Sequence, residues 1–186
     1  MPAREEDLHD ALRRAASALR ANGPAFALAG SYALWVYGAP EPVHDVDVVV
    51  AETDVEHAAA TLADAGFQIS RPPEDWLFKA TLGSAVVDVL HRVNRVVVDG
   101  ALIAAADTVD VLAIPMPVLP PTVALVQKLK SLHEHHCDFA TLLPAARAVR
   151  ERVDWPVVRD ETKGNDFATA FLFLTDRLGI TGVATN

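Results

Sequence analysis

Residues 44–50 read His44-Asp45-Val46-Asp47-Val48-Val49-Val50, an apolar β-type run broken only by two aspartates. Side chains alternate along a strand, so Asp45 and Asp47 project from one face. Two carboxylates side by side at the end of a run fit for burial repel each other unless something neutralises them. A divalent cation does so, and an all-oxygen donor set suits Mg2+ or Mn2+. The plainer alternative is a pair of solvated acids at a strand end.

Upstream of this strand, across thirteen intervening residues, stands Gly30-Ser31. It follows Phe26–Ala29, a short apolar run that reads as a buried strand, and Ser31 is placed to cap a helix over Tyr32–Tyr37. Glycine lets backbone approach a phosphate, and a helix start offers free N–H groups with partial positive charge. Downstream, Asp88 interrupts Ala85-Val-Val-Asp-Val-Leu90, a strand that pairs by pattern with Trp76–Leu82 across a Gly83-Ser84 turn. Three carboxylates converging from two strands suit metal-assisted phosphoryl transfer, in which one carboxylate also accepts the nucleophile's proton.

The rest of the chain frames these residues. Leu8, Leu12, Ala15 and Leu19 recur at helical spacing, and Asn22-Gly23-Pro24 ends that helix. The carboxylate strand is predicted over Val43–Val50, a helix over Glu56–Ala65 and a further strand over Val93–Val98. Pro115, Pro117, Pro120 and Pro121 read as a stiff connector. Beyond it, helices are predicted over Thr122–His136, Phe139–Val153 and Asp166–Leu178. The expected organisation is α+β: a mixed-sheet core over residues 1–118 and a helical segment over 119–186.

Composition sets the outer limits. The chain has 186 residues, 51% hydrophobic, with 16 Lys and Arg against 25 Asp and Glu, a formal charge of −9. That argues against a generally basic nucleic-acid binder and against an anionic-membrane binder. A single cysteine, Cys137, excludes an internal disulfide framework and fits a reducing cytoplasm. No apolar run nears the ~18 residues of a membrane span, and the first twenty residues lack a signal-peptide core. The charge is uneven: residues 41–64 carry seven acids and neither Lys nor Arg, whereas 123–152 carry Lys128, Lys130, Arg147, Arg150 and Arg152.

Gly30-Ser31, thirteen residues, Asp45-Val-Asp47 and then Asp88 on a later strand resemble the nucleotidyltransferase superfamily of DNA polymerase β, over residues 26–90. Val123-Ala-Leu-Val-Gln-Lys128-Leu129 followed by Asp138-Phe-Ala-Thr-Leu142 resembles the AbiEii/MenT group of toxin-type nucleotidyltransferases. In that group a Lys-Asp-x-x-Asp run is usual; here His135 stands in place of its first aspartate and Asp138 remains. The resemblance implies the polymerase β-like fold, with Asp45 and Asp47 holding Mg2+ or Mn2+ and Asp88 acting as metal ligand or proton acceptor. It implies that Gly30 and Ser31 hold the triphosphate tail of an NTP and that Lys128 reaches its phosphates. Lys128 is preferred to Lys130 because it borders the apolar stripe of Leu125, Leu129 and Leu132.

The implied reaction moves a nucleoside monophosphate from an NTP to a hydroxyl and releases pyrophosphate. By resemblance the acceptor is tRNA and the setting a toxin–antitoxin pair, with an antitoxin protein as partner. The alternatives are nucleotidylation of a small molecule, an antibiotic or a protein, and a non-catalytic nucleotide-binding regulatory module. Among weaker signals, His133-Glu-His-His136-Cys137 has no second Cys/His pair to complete a zinc site and reads as a solvated helix end, or as lining for a substrate groove. Lys79 either balances the acids or faces water, His44 either touches substrate or packs at the strand entry, and Tyr32, Trp35 and Tyr37 read as core.

Overall fold

The computed structural model describes residues 5–182. In chain order the elements are α1 (Glu5–Asn22), β1 (Phe26–Leu28), α2 (Gly30–Val36), β2 (Val46–Val50), α3 (Val55–Asp64), β3 (Gln68–Ser70), β4 (Leu77–Leu82), β5 (Ala85–Leu90), β6 (Arg92–Val93), β7 (Val96–Val97), α4 (Gly100–Ala104), β8 (Asp107–Val111), β9 (Ile114–Val118), α5 (Pro121–Lys130), α6 (Phe139–Val149), α7 (Trp155–Thr162) and α8 (Asp166–Arg177). Seven strands form one mixed sheet in the order β3-β4-β5-β2-β1-β9-β8, and β6 and β7 form a separate ribbon. Two parallel pairings lie inside it, β2 with β5 and β1 with β9; the remaining neighbours are antiparallel.

Strand alternation decides what each face carries. Val46, Val48 and Val50 of β2 join Val87 and Val89 of β5 in the main core, beneath Leu8, Leu12, Ala15 and Leu19 of α1. Val49 points the other way, into a smaller cluster with Ala27, Ala29, Val98, Ile103 and Leu119. Asp45, Asp47 and Asp88 share that second face by the period of two. The sheet is therefore packed on one side throughout, and on the other it is apolar at one end and acidic at the other.

Several boundaries differ from the sequence reading, each for a local reason. The carboxylate strand begins at Val46, and Ser31 does not cap a helix: α2 starts at Gly30 with Ala29 at its cap position and no side-chain bond. Pro115 and Pro117 belong to β9 and pair with Asp110 and Thr108. They are tolerated because N–H direction alternates along a strand. Leu119, in the same phase, donates to Leu28 O on the β1 side, so the prolines cost β9 no bond to β8. Val93–Val98 is a two-residue hairpin, with Asn94 and Arg95 at φ of 52° and 67° forming its turn.

The helix predicted over Thr122–His136 stops at Lys130. Asn165 Nδ2 donates to Lys130 O and Leu132 O at 3.3 and 2.9 Å, and Ser131 Oγ donates to Lys128 O, satisfying carbonyls that a longer helix would have used. His133 and His136 then form a tight antiparallel bridge, not a helix end. The helix expected to reach Val153 ends at Val149 and continues as a 3-10 turn over Arg150–Arg152. Short elements without a sequence reading are β3, α4, β8 and α7. Among the described residues no helix is long and apolar enough to cross a membrane.

Candidate active site

Asp45 stands one residue before β2, Asp47 is the second residue of β2, and Asp88 is the direct cross-strand partner of Asp47 on β5. The parallel register thus supplies two of the three acids side by side, and the strand period supplies the third. One oxygen from each carboxylate lies within 4.8 Å of the others. Burial and the mutual charge raise Asp47 to a pKa of about 7, Asp45 acting more strongly than Asp88, while Lys128 and Lys79 oppose the rise. Asp45 is pushed up from its ordinary value as well, first by burial and then by Asp88. Three carboxylates so gathered form an all-oxygen donor set for a hard divalent cation.

Gly30 explains how backbone comes so close to the acids. Its φ is +58°, and a Cβ built there would lie 1.8 Å from Asp47 Oδ2. Only glycine meets both demands. Ala29 N–H donates to Asp47 O at 2.9 Å, which fixes the β1–α2 corner against β2. The sequence placed Gly30 and Ser31 together at this corner; Gly30 lines the cleft, whereas Ser31 follows it within α2 without a capping bond.

Lys79 is the cross-strand partner of Asp88 on β4, and its Nζ reaches Asp88 Oδ1 and Oδ2 at 2.8 and 2.9 Å. It balances the acids and does not simply face water. Lys128 comes from α5 and lines the same cleft as Asp47, and burial lowers its pKa while the charges of Asp47 and Asp45 resist that lowering. Lys130, two residues on along α5, is bound to Glu161 at 2.6 Å. Both lysines line the cleft, and Lys130 is the one held in an ion pair with α7.

The cleft has a volume of about 890 Å³, within the range of small-molecule sites. Its outer wall holds residues that the sequence reading did not single out: Trp76, Arg92, Asn94 and Arg95. The β6–β7 turn brings Asn94 and Arg95 there, and Asn94 Nδ2 donates to Gln127 O at 3.0 Å, tying the hairpin to α5. Adjacent Asn94-Arg95 between two valines was the available signal, since Asn tolerates positive φ. His133 also borders the cleft. Asp138 does not join the acids: it caps α6, accepting from Ala140 N and Thr141 N, and Thr141 Oγ1 holds it below its ordinary range. Tyr32 is fully buried, and Trp35 and Tyr37 pack against the core.

No protein-family model matches the sequence, and no curated protein matches it. Solved structures do. The antibiotic-resistance factor ANT(2'')-Ia superposes with a TM-score of 0.63 at 11% identity, covering 94% of this chain and 98% of its own. The chain has the nucleotidyltransferase fold. A nucleotidyltransferase-like antigen of Paracoccidioides brasiliensis shares it with a TM-score of 0.60 at 14% identity over 98% of this chain and 94% of that one. The lincosamide adenylyltransferase LnuA, solved with lincomycin, shares it with a TM-score of 0.53 at 11% identity over 78% and 96%. ANT(2'')-Ia has also been solved with adenylyl-2''-tobramycin. The mixed seven-stranded sheet with flanking helices is the arrangement that matches these structures in fold.

Proposed function

We propose that the chain is a metal-dependent nucleotidyltransferase, moving a nucleoside monophosphate from an NTP to a hydroxyl acceptor with release of pyrophosphate. The observation that carries this reading is the meeting of Asp45, Asp47 and Asp88 within 4.8 Å, with Asp47 lining the same cleft as Gly30 and Lys128. Asp45 and Asp47 are the proposed ligands of Mg2+ or Mn2+, which when bound offsets their repulsion and the charge of the triphosphate. Gly30, with Ser31 behind it, is the proposed seat of the triphosphate tail, and Lys128 pairs with its phosphate oxygens. A lysine made less basic by burial still prefers its charged form beside phosphate. Asp88 is the proposed third ligand or the acceptor of the hydroxyl's proton, with Lys79 holding both of its oxygens in place.

For the acceptor, the cleft is also lined by Arg92, Arg95 and Lys130, of which Arg92 is paired with Glu52 and Asp75, and Lys130 with Glu161. A phosphate-bearing acceptor such as a tRNA end would be met there by Arg95. The toxin-type reading, with tRNA as acceptor and an antitoxin as partner, rests on the sequence resemblance. The antibiotic alternative has its own support in the two drug-modifying neighbours in fold.

One experiment tests the proposal. The protein is incubated with Mg2+ and each α-labelled NTP in turn, together with tRNA, a protein mixture, or an aminoglycoside and lincosamide panel. Label on tRNA supports the first acceptor, and label on a drug or protein supports the alternative. Nucleotide binding with no transfer to any acceptor would overturn the enzymatic reading in favour of a regulatory module. Asp45→Ala is expected to abolish transfer, and retained activity in it would contradict the site assignment.

A further inference from the structure

Away from the cleft, Glu5 and His9 of α1 meet Glu41 of the loop before β2, with one ligand atom of each within 4.8 Å of the others. Residues four apart share a helix face, so α1 presents Glu5 and His9 together. His9 Nε2 contacts Glu41 Oε1 directly, and the His9 ring lies 5.5 Å from that of Trp35. A simple His–Glu pair would account for two of the three residues. It does not account for Glu5, nor for Tyr32.

Tyr32 is 0% exposed, and its hydroxyl has no hydrogen-bond partner among the described residues. Buried phenols ordinarily find one. After burial itself, the charges that act on this hydroxyl most strongly are Glu41 and Glu5, and together they push the phenol well above its ordinary range. Its ring packs edge-on against Trp35 at 5.5 Å, the same indole that the His9 ring flanks, so a neutral donor lies beside the cluster. A water carried by an ion at Glu5, His9 and Glu41 would supply the missing acceptor, as outer-shell groups do around bound metals.

We propose that Glu5, His9 and Glu41 form a second cation site, for a first-row divalent transition ion of the Zn2+ or Co2+ kind, with the Tyr32 hydroxyl bonded to a water on that ion. The imidazole distinguishes it from the all-carboxylate cluster and selects a softer ion than Mg2+. Exposed Glu5 leaves the site open to solvent, which gives the ion an entry path. Glu41 precedes Asp45 by four residues, so an occupied site pins the loop that leads into β2 against α1. Its role is to position the entry to the carboxylate strand.

The test uses the full chain carrying Asp45→Asn and Asp47→Asn, so its outcome is independent of the proposed transfer reaction. Co2+ is titrated by calorimetry and the complex is examined by proton NMR. One bound ion is expected, with a hyperfine-shifted imidazole N–H signal that disappears in His9→Gln. Glu41→Gln is expected to weaken binding at least tenfold, and Tyr32→Phe by roughly tenfold, with far-UV circular dichroism unchanged. No Co2+ binding, or binding and an imidazole signal that His9→Gln leaves intact, would overturn the site. Unchanged affinity in Tyr32→Phe would overturn the part given to its hydroxyl.

Discussion

Replacing Asp47 with asparagine should make the metal-free protein more stable while destroying its activity. Asp47 titrates at about 7 against an ordinary 3.8, through burial and the neighbouring Asp45 and Asp88 charges. At about 1.36 kcal/mol per pH unit, its ionised form carries a cost of about 4 kcal/mol in the folded state. The sign follows from proton counting. Between pH 4 and 7 the folded chain keeps a proton that the unfolded chain has lost, so this group's contribution to stability falls as pH rises through that window. Above it the loss is complete and constant. A side-chain amide cannot ionise, so the variant escapes the loss. Urea denaturation in EDTA should therefore show a gap of only about 1–2 kcal/mol between the two proteins at pH 5. At pH 8 the variant should be the more stable by about 2–4 kcal/mol, the upper end being the full electrostatic cost. Mg2+ should narrow the gap by stabilising the parent protein alone. Equal stabilities at pH 8, or a gap that does not change between pH 5 and pH 8, would refute the reasoning that these acids are held together against their repulsion.

Gly30→Ala puts a Cβ 1.8 Å from Asp47 Oδ2 at a φ of +58°. It should cost at least about 1–2 kcal/mol from the left-handed backbone alone and displace the carboxylate, so denaturation and transfer assays should both show a loss. Lys128→Met should lower turnover roughly 100-fold, as expected for a lost charge on transferring phosphates. Because Lys128 opposes the rise at Asp47, the same variant should shift the pH window of the metal-free protein upward in a denaturation series. Asp138→Ala removes only the cap of α6. Thermal unfolding should fall by a few degrees while transfer activity persists, and loss of transfer with an intact fold would return Asp138 to the active site.

The candidate site was more legible in the sequence than the peripheral fold, because its determinants are local. Asp45 and Asp47 lie on one face by strand period, and Asp88 breaks an apolar run in the same way. What remained was register, and β2 pairing parallel with β5 places Asp47 opposite Asp88. The errors arose where tertiary partners decide. Pro115 and Pro117 look like a connector until β8 supplies an antiparallel partner and β1 leaves their nitrogens unneeded. The α5 helix ends at Lys130 because Asn165, 35 residues on, binds its last carbonyl. No window of local sequence contains that information. α7 was missed although its signals were present: Asp154 caps it by accepting from Val157 N, with Pro156 in the first turn. The −9 net charge argued against phosphate-bearing partners only when taken globally. In the folded chain Asp45, Asp47 and Asp88 gather in one cluster, and Lys128 feels the charges of Asp47 and Asp45.

We propose that the three carboxylates hold a divalent ion together with a nucleoside triphosphate. The most direct test is an anomalous-scattering map from crystals grown with Mn2+ and an NTP analogue that cannot be cleaved at the α-phosphorus. A manganese peak is expected at about 2 Å from oxygens of Asp45 and Asp47, with the triphosphate over Gly30 and in contact with Lys128. Nucleotide bound elsewhere, or a cleft holding nucleotide with no manganese at Asp45 and Asp47, would contradict it.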